Sequence, residues 1–237
     1  MMKRLLVVMV AGIFVMIHPI STGGSDPGVL IAQDEQTDVS FKWAFVGVLD
    51  PSGRKKVVPI QRDTVLASGD QFKLYVQPVI TNCYVYMIWY DSKKDLHMMF
   101  PYDFEQFSTD WVEGKNYYIP KGREWYELDE NKGREVLYLL AAKDRLKELE
   151  ELLKQYASAS GDEKEVAKAR VLNELRDVRK RFRKHTTLTE KPAIIAGNVR
   201  GSGGVGVSAP TMVRVTQFAI QVDANTFFSK TIIIQHK

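Results

Sequence analysis

Phe72, Leu74 and Val76 alternate with Lys73, Tyr75 and Gln77, the two-residue period of a strand with one buried face. Residues 83–90 abandon that alternation. Tyr84, Tyr86, Ile88 and Tyr90 fall on one side, and Cys83, Val85, Met87 and Trp89 on the other. Both faces are apolar, so this segment reads as a central strand covered on each side. Asp91–Asp95 turns the chain and residues 96–100 return as its hairpin partner. Residues 41–49 read as an earlier strand, and Asp50-Pro51-Ser52-Gly53 as a turn. Residues 56–60 read as an edge strand, because Pro59 cannot donate to a ladder. Residues 101–116 are irregular and aromatic. Short strands are expected at 117–119, 124–128, 136–141, 193–196, 213–222 and 231–235, with a turn at Asp223-Ala224-Asn225.

The period changes at residue 143. Leu146, Leu149, Leu152, Leu153 and Tyr156 share one helical stripe. Residues 157–161 break it. Ser160 followed by Glu163 has the spacing of a capping box. A second helix over 162–184 carries Ala167, Val171, Leu175, Val178 and Phe182 on its stripe. Two helices with a short connection pair antiparallel. A hairpin insertion over 143–185 is therefore expected, packed against the sheet. The chain shows no internal repeat. The expected fold is mainly β with α elements: a β-sandwich or partly open β-barrel with an inserted antiparallel helical hairpin.

The first residues change the picture of where the protein works. Met1-Met2-Lys3-Arg4 precedes an apolar run from Leu5 to Ile17, the layout of a secretory signal peptide. The run is shorter than the roughly 20 residues of a transmembrane helix. Cleavage is expected after residue 23, with residue 32 as the alternative, followed by a flexible Gly-, Ser- and Asp-rich segment over 24–40. A single β-rich domain over 41–237 then follows. No cysteine stands directly after the apolar run, so no lipid anchor is expected. The expected location is periplasmic or secreted, with no transmembrane span once the signal is removed. The alternative is an uncleaved signal anchor.

Of the 237 residues, 45% are hydrophobic and 26% charged, enough for a sizeable core. Cys83 is the only cysteine, so no internal disulfide forms and Cys83 is expected to act as a small buried hydrophobe.

The ordered features Leu66…Gly69-Asp70, Tyr84-Val85-Tyr86…Asp91, Phe100-Pro101, Tyr118-Ile119-Pro120 and Gly133-Arg134-Glu135 before an apolar strand resemble the bacterial family called domain of unknown function 4384 (DUF4384). The resemblance covers residues 63–141 and is extended to the closing strand near 213–235. Two departures stand out. Ser92-Lys93-Lys94-Asp95 replaces the family's glycine turn, and the helical hairpin is an elaboration. The resemblance implies an extracytoplasmic or accessory β-rich module and imports no catalytic residue.

Candidate chemistry is sparse. His97, His185 and His236 show no metal-ligand spacing. Gly201–Gly206 fits G-x-G-x-x-G, but a strand rather than a helix is expected after it, so it reads as a loop within 197–208. No catalytic residue, cofactor or metal ligand is assigned. The net charge is +4, and its sharpest concentration is Arg176, Arg179, Lys180, Arg181, Arg183 and Lys184. These residues either complement the negative end of the helix dipole or form an anion-facing patch. Phe104, Phe107, Trp111, Tyr118 and Trp125 form a candidate aromatic platform, or fill the core.

The expected function is an exported, non-catalytic envelope module that binds an envelope protein or an anionic envelope surface. Two alternatives stand: a hydrolase of cell-wall or polysaccharide material using carboxylates within residues 103–129, and a glycan-binding module. Nucleic acid is not an expected partner, and the sequence leaves the oligomeric state open.

Overall fold

The computed structural model describes residues 37–49, 56–182, 188–193 and 215–237. The N-terminal apolar run, the loop 197–208, and Arg183, Lys184 and His185 lie outside them. In chain order the elements are β1 (Val39–Leu49), β2 (Lys56–Pro59), β3 (Thr64–Leu66), β4 (Gln71–Pro78), β5 (Tyr84–Tyr90) and β6 (Leu96–Phe100). The short helix α1 (Gln106–Thr109), β7 (Tyr117–Ile119), β8 (Tyr126–Glu127) and β9 (Gly133–Ala142) come next. The helices α2 (Lys147–Ser158) and α3 (Gly161–Phe182) precede β10 (Leu188–Pro192), β11 (Ile220–Ala224) and β12 (Phe227–His236).

The strands form two sheets and not a closed barrel. One runs β10-β11-β1-β4-β7, with β2 on β1 and β8 on β4; the other runs β3-β12-β9-β5-β6. Their inner faces meet through aromatic side chains, which bring large apolar area to a core. Phe41 of β1 meets Phe228 of β12 edge-on at 5.6 Å, and Phe72 of β4 stacks on Trp89 of β5 at 4.8 Å. The expected two-faced strand is β5. It lies between β9 and β6, with Val85 to Trp89 all buried. β6 ends at Phe100 and β7 at Ile119, each just before a proline, which has no N–H to continue a ladder.

The helical hairpin is inserted between β9 and β10 and covers the outer face of the five-stranded sheet. Leu149, Leu153 and Tyr156 of α2 and Ala167, Val171, Leu175 and Val178 of α3 are buried. Phe182 stacks on Phe227 of β12 at 4.8 Å. Helix α2 starts at Lys147 instead of 143. The Lys143 N–H donates to the Thr226 carbonyl, and the Leu146 N–H is taken by the Tyr86 hydroxyl at 3.0 Å. Both bonds hold the approach to the helix in a non-helical path.

Three other expectations are corrected. β4 is not half-exposed: Lys73 and Tyr75 are buried as well as Phe72, Leu74 and Val76. A second small cluster of Ala44, Val46, Tyr75, Val215 and Ala219 covers that outer face, with Tyr118, Trp125 and Phe218 packed against it. The strand expected at 213–222 is a helical turn at its centre, where the Phe218 and Ala219 N–H groups donate to Val215 and Thr216. Only from Ile220 does the chain pair with β1. The strand expected at 193–196 lies earlier, as the exposed edge strand β10. Ala193 is outside it, and residues 194–196 lie outside the described residues.

Candidate functional site

Helix α3 ends in a run of basic residues, Arg179, Lys180 and Arg181 in its last turn, where cations face the negative end of the helix dipole. Arg176, Arg179 and Lys180 line a cavity of about 630 Å³ with Leu188 of β10 and Phe227, Phe228 and Ser229 of β12. None of these lining residues is acidic. The Arg176 guanidinium holds the Asn173 side chain and the Leu172 carbonyl, and Lys180 lies 3.7 Å from Asp177 with both side chains largely exposed. Such an exposed pair contributes little and leaves the lysine open to competition. Arg179 has no hydrogen bond or ion pair among the described residues. Arg181 departs from the expected patch and reaches 3.5 Å to the buried Glu174. The structure thus brings three of the six expected cations together, turns one away, and leaves Arg183 and Lys184 outside the described residues. The apolar floor from β12 is not legible locally, because it joins α3 across some 50 residues of chain.

The five aromatics do not share a face. Phe107 and Trp111 are buried and edge-on at 5.8 Å, and the Trp111 indole donates to the Cys83 carbonyl at 2.8 Å. Phe104 is also buried, at the wall of another cavity. Tyr118 and Trp125 belong to the second cluster on the opposite side of the sandwich. Trp125 lies over the Lys73 ammonium at 5.9 Å.

The sequence reading missed a buried polar chain. Glu135 of β9 accepts from the Trp89 indole at 2.7 Å and pairs with His236 Nδ1 at 2.9 Å. His236 Nε2 lies 3.1 Å from the Ser68 hydroxyl. Burial pushes the Glu135 carboxyl above its ordinary range, opposed by the bonds from Trp89 and His236. The order serine, histidine, glutamate is that of a nucleophile, its base and the base's orienting acid. Among the described residues the N–H groups beside Ser68 are already taken. The Ser68 N–H donates to the Lys237 carbonyl and the Gly69 N–H to the Leu128 carbonyl, so neither is free to hold an oxyanion. The His236 side chain is wholly buried. The chain instead ties β12 and the turn after β3 to β9 and β5.

The neighbouring turns serve the same corner. Gly69 has φ +84°, and a Cβ on Gly133 would stand 3.0 Å from that of Ser92. Only glycine fits the first without strain, and any larger residue at the second displaces the Ser92 turn.

Residues 65–145 match the domain of unknown function DUF4384. The match begins one residue after the first residue of β3 and ends just before α2, so the DUF4384 segment holds Ser68, Trp89, Gly133 and Glu135 but not His236. The closing strands, to which the resemblance was extended, lie outside it. A domain of unknown function brings no sign of catalysis with it. No curated protein and no solved structure matches the chain.

Of the carboxylates in the hydrolase alternative, Glu127 and Asp129 line one cavity of the DUF4384 segment and Asp103 and Glu105 another. Among the described residues no three of His, Cys, Asp and Glu gather as a metal-binding group, and no helix is long and apolar enough to cross a membrane.

Proposed function

We propose that this protein is an exported, non-catalytic module of the cell envelope that docks through the cleft at the end of α3 on an anionic envelope surface or an acidic partner. The observation that carries this reading is the cleft itself: Arg176, Arg179 and Lys180 on one wall, Leu188, Phe227 and Phe228 on the others, and Arg179 unpaired among the described residues. Cations beside an apolar floor in a recess attract anions more strongly than cations spread over a flat surface. Export is supported by the basic start and short apolar run of residues 1–17. The absence of catalysis is supported by the occupied N–H groups around Ser68.

The test is flotation of the mature protein with vesicles containing phosphatidylglycerol, against neutral vesicles and purified cell-wall polymer, across a salt series. Binding to an anionic surface that falls with salt, and falls by about tenfold in Arg176→Gln/Arg179→Gln, is expected. Binding that ignores both salt and the double substitution overturns the proposal.

A further inference from the structure

Strand β6 forms one edge of the five-stranded sheet. Edges are ordinarily blunted by lysine or proline, as in β10, where Lys191 and Pro192 occupy the edge of the other sheet. β6 reads Leu96-His97-Met98-Met99-Phe100 and has neither. The Leu96 N–H points away from β5 and donates to the Tyr156 hydroxyl at 3.0 Å. Two residues on, Met98 turns the same way, so its N–H and carbonyl face outward from the sheet. The register shifts directly after Met98: Ile88 pairs with Met98 and Met87 with Phe100, so Met99 is an extra residue on β6 and the regular edge runs over Leu96–Met98.

Each face of this edge opens on a cavity. On the helix side, about 940 Å³ is walled by Leu96, Met98, Phe104, Leu153 and Tyr156. Its charged side chains balance, Asp103 and Glu105 against Arg145 and Lys154, and Arg145 is tied to Glu150. On the opposite face, between the sheets, about 440 Å³ is lined by Trp89 and Tyr126 with Asp91, Glu127, Asp129 and Glu135. Lys93 pairs with Asp129 at 3.2 Å, His97 with Asp91 at 2.8 Å and His236 with Glu135, while Glu127 takes the Gln71 amide, so lysine supplies the one fixed positive charge against four carboxylates. Met98 lines both cavities. A strand added beside β6 sends successive side chains to opposite faces. One set would enter an apolar recess and the other an acidic recess walled by aromatic rings, which suits a cationic side chain.

We propose that β6 is a docking edge for an extended segment of a partner protein, with basic and apolar residues in alternation. The segment pairs with the outward groups of Met98, directs its basic residues toward Asp91, Glu127 and Asp129, and directs its apolar residues under α2. A second copy of this chain, docking edge to edge, would bring two acidic cavities together, so the charge selects a basic partner. This surface lies within β5–β9 and α2 and does not depend on the cleft at the end of α3.

The probe is a fluorescein-labelled ten-residue peptide of alternating lysine and valine, titrated with the full chain and read by anisotropy. Two controls accompany it: alternating glutamate and valine, and the lysine–valine composition rearranged to helical spacing. The alternating basic peptide is expected to bind at least about tenfold more tightly than either control. Glu127→Gln/Asp129→Asn, at two exposed positions, is expected to weaken it by about tenfold. Met98→Pro, which removes the outward donor, is expected to abolish binding. If Met98→Pro fails to fold, the surface carboxylate pair still decides. Equal binding of both basic peptides, or full binding to the carboxylate variant, overturns the proposal. So does a dimer that Met98→Pro dissolves in a chain that ignores the peptide, because a second copy then occupies the edge.

Discussion

Lys94 is the one non-glycine among the described residues with positive φ, at +69°. It sits in the Ser92-Lys93-Lys94-Asp95 turn, in the left-handed geometry that glycine adopts most easily. The turn is held by its own bonds: the Lys94 N–H donates to the Asp91 carbonyl and the Asp95 N–H to the Asp91 carboxylate at 2.8 Å. A Cβ in that region costs roughly 1–2 kcal/mol, part of which glycine returns through its looser unfolded chain. Lys94→Gly is therefore expected to stabilise the protein by about 1 kcal/mol, seen as a higher urea midpoint with an unchanged slope. A lower midpoint would mean that the lysine side chain contributes more than the strain removes. The turn was legible in the sequence, and its strain was not, because strain is a property of the backbone path. Glu135 and His236 follow the same logic. Each was visible as a residue, but their meeting needs β12 to lie beside β9, a pairing across about 100 residues.

At the scale of elements, local patterns carried most of the information. The ends of β6 and β7 follow from prolines, β5 from its two apolar faces, and α2 and α3 from their stripes. The errors share one cause, cover supplied from far along the chain. β4 has the alternation of a half-exposed strand, yet its polar face lies under Trp125 and the turn at 215–219. Lys73 on that face is fully buried, its ammonium donating to the Pro120 carbonyl at 2.8 Å and to the Glu124 carbonyl. Burial lowers its pKa from 10.5 to about 8, partly offset by Glu124. Between those two values the folded lysine is neutral and the unfolded one charged, so the unfolded chain binds more protons and the Lys73 contribution to stability grows with pH. It is complete above 10.5 and lost as the pH falls through 8. Buried tyrosines such as Tyr75 act the other way in this range. The comparison is therefore with Lys73→Met in the same tyrosine background. The wild type is expected to gain on the variant from pH 8 to 10.5 by no more than about 1.4 kcal/mol per pH unit. Parallel stability curves for the two proteins would show that the ammonium is solvated in the folded state.

For the molecule as a whole, the match over 65–145 describes a sequence unit that is not a structural one. Each of its two longest strands has one long pairing outside it. β4 pairs with β1 over Phe41–Val48, β9 pairs with β12 along its whole length, and β3 pairs with β12 alone. Removing β1 and β12 also strips Phe41, Phe45 and Phe228 from the inter-sheet core and His236 from buried Glu135. An uncompensated buried carboxylate and exposed ladder groups each cost several kcal/mol, comparable with the whole stability of a domain. A fragment of residues 65–145 is therefore expected to show no cooperative urea transition and no near-ultraviolet circular dichroism, whereas the chain from residue 37 to 237 shows both. Amide exchange should separate them further, with protection in β5 and β9 present in the longer chain and lost in the fragment. A sigmoidal transition in the fragment, with protected β5 and β9, would mean that the hairpins of this segment hold their register unaided. The strands before and after would then be a later envelope around an autonomous core.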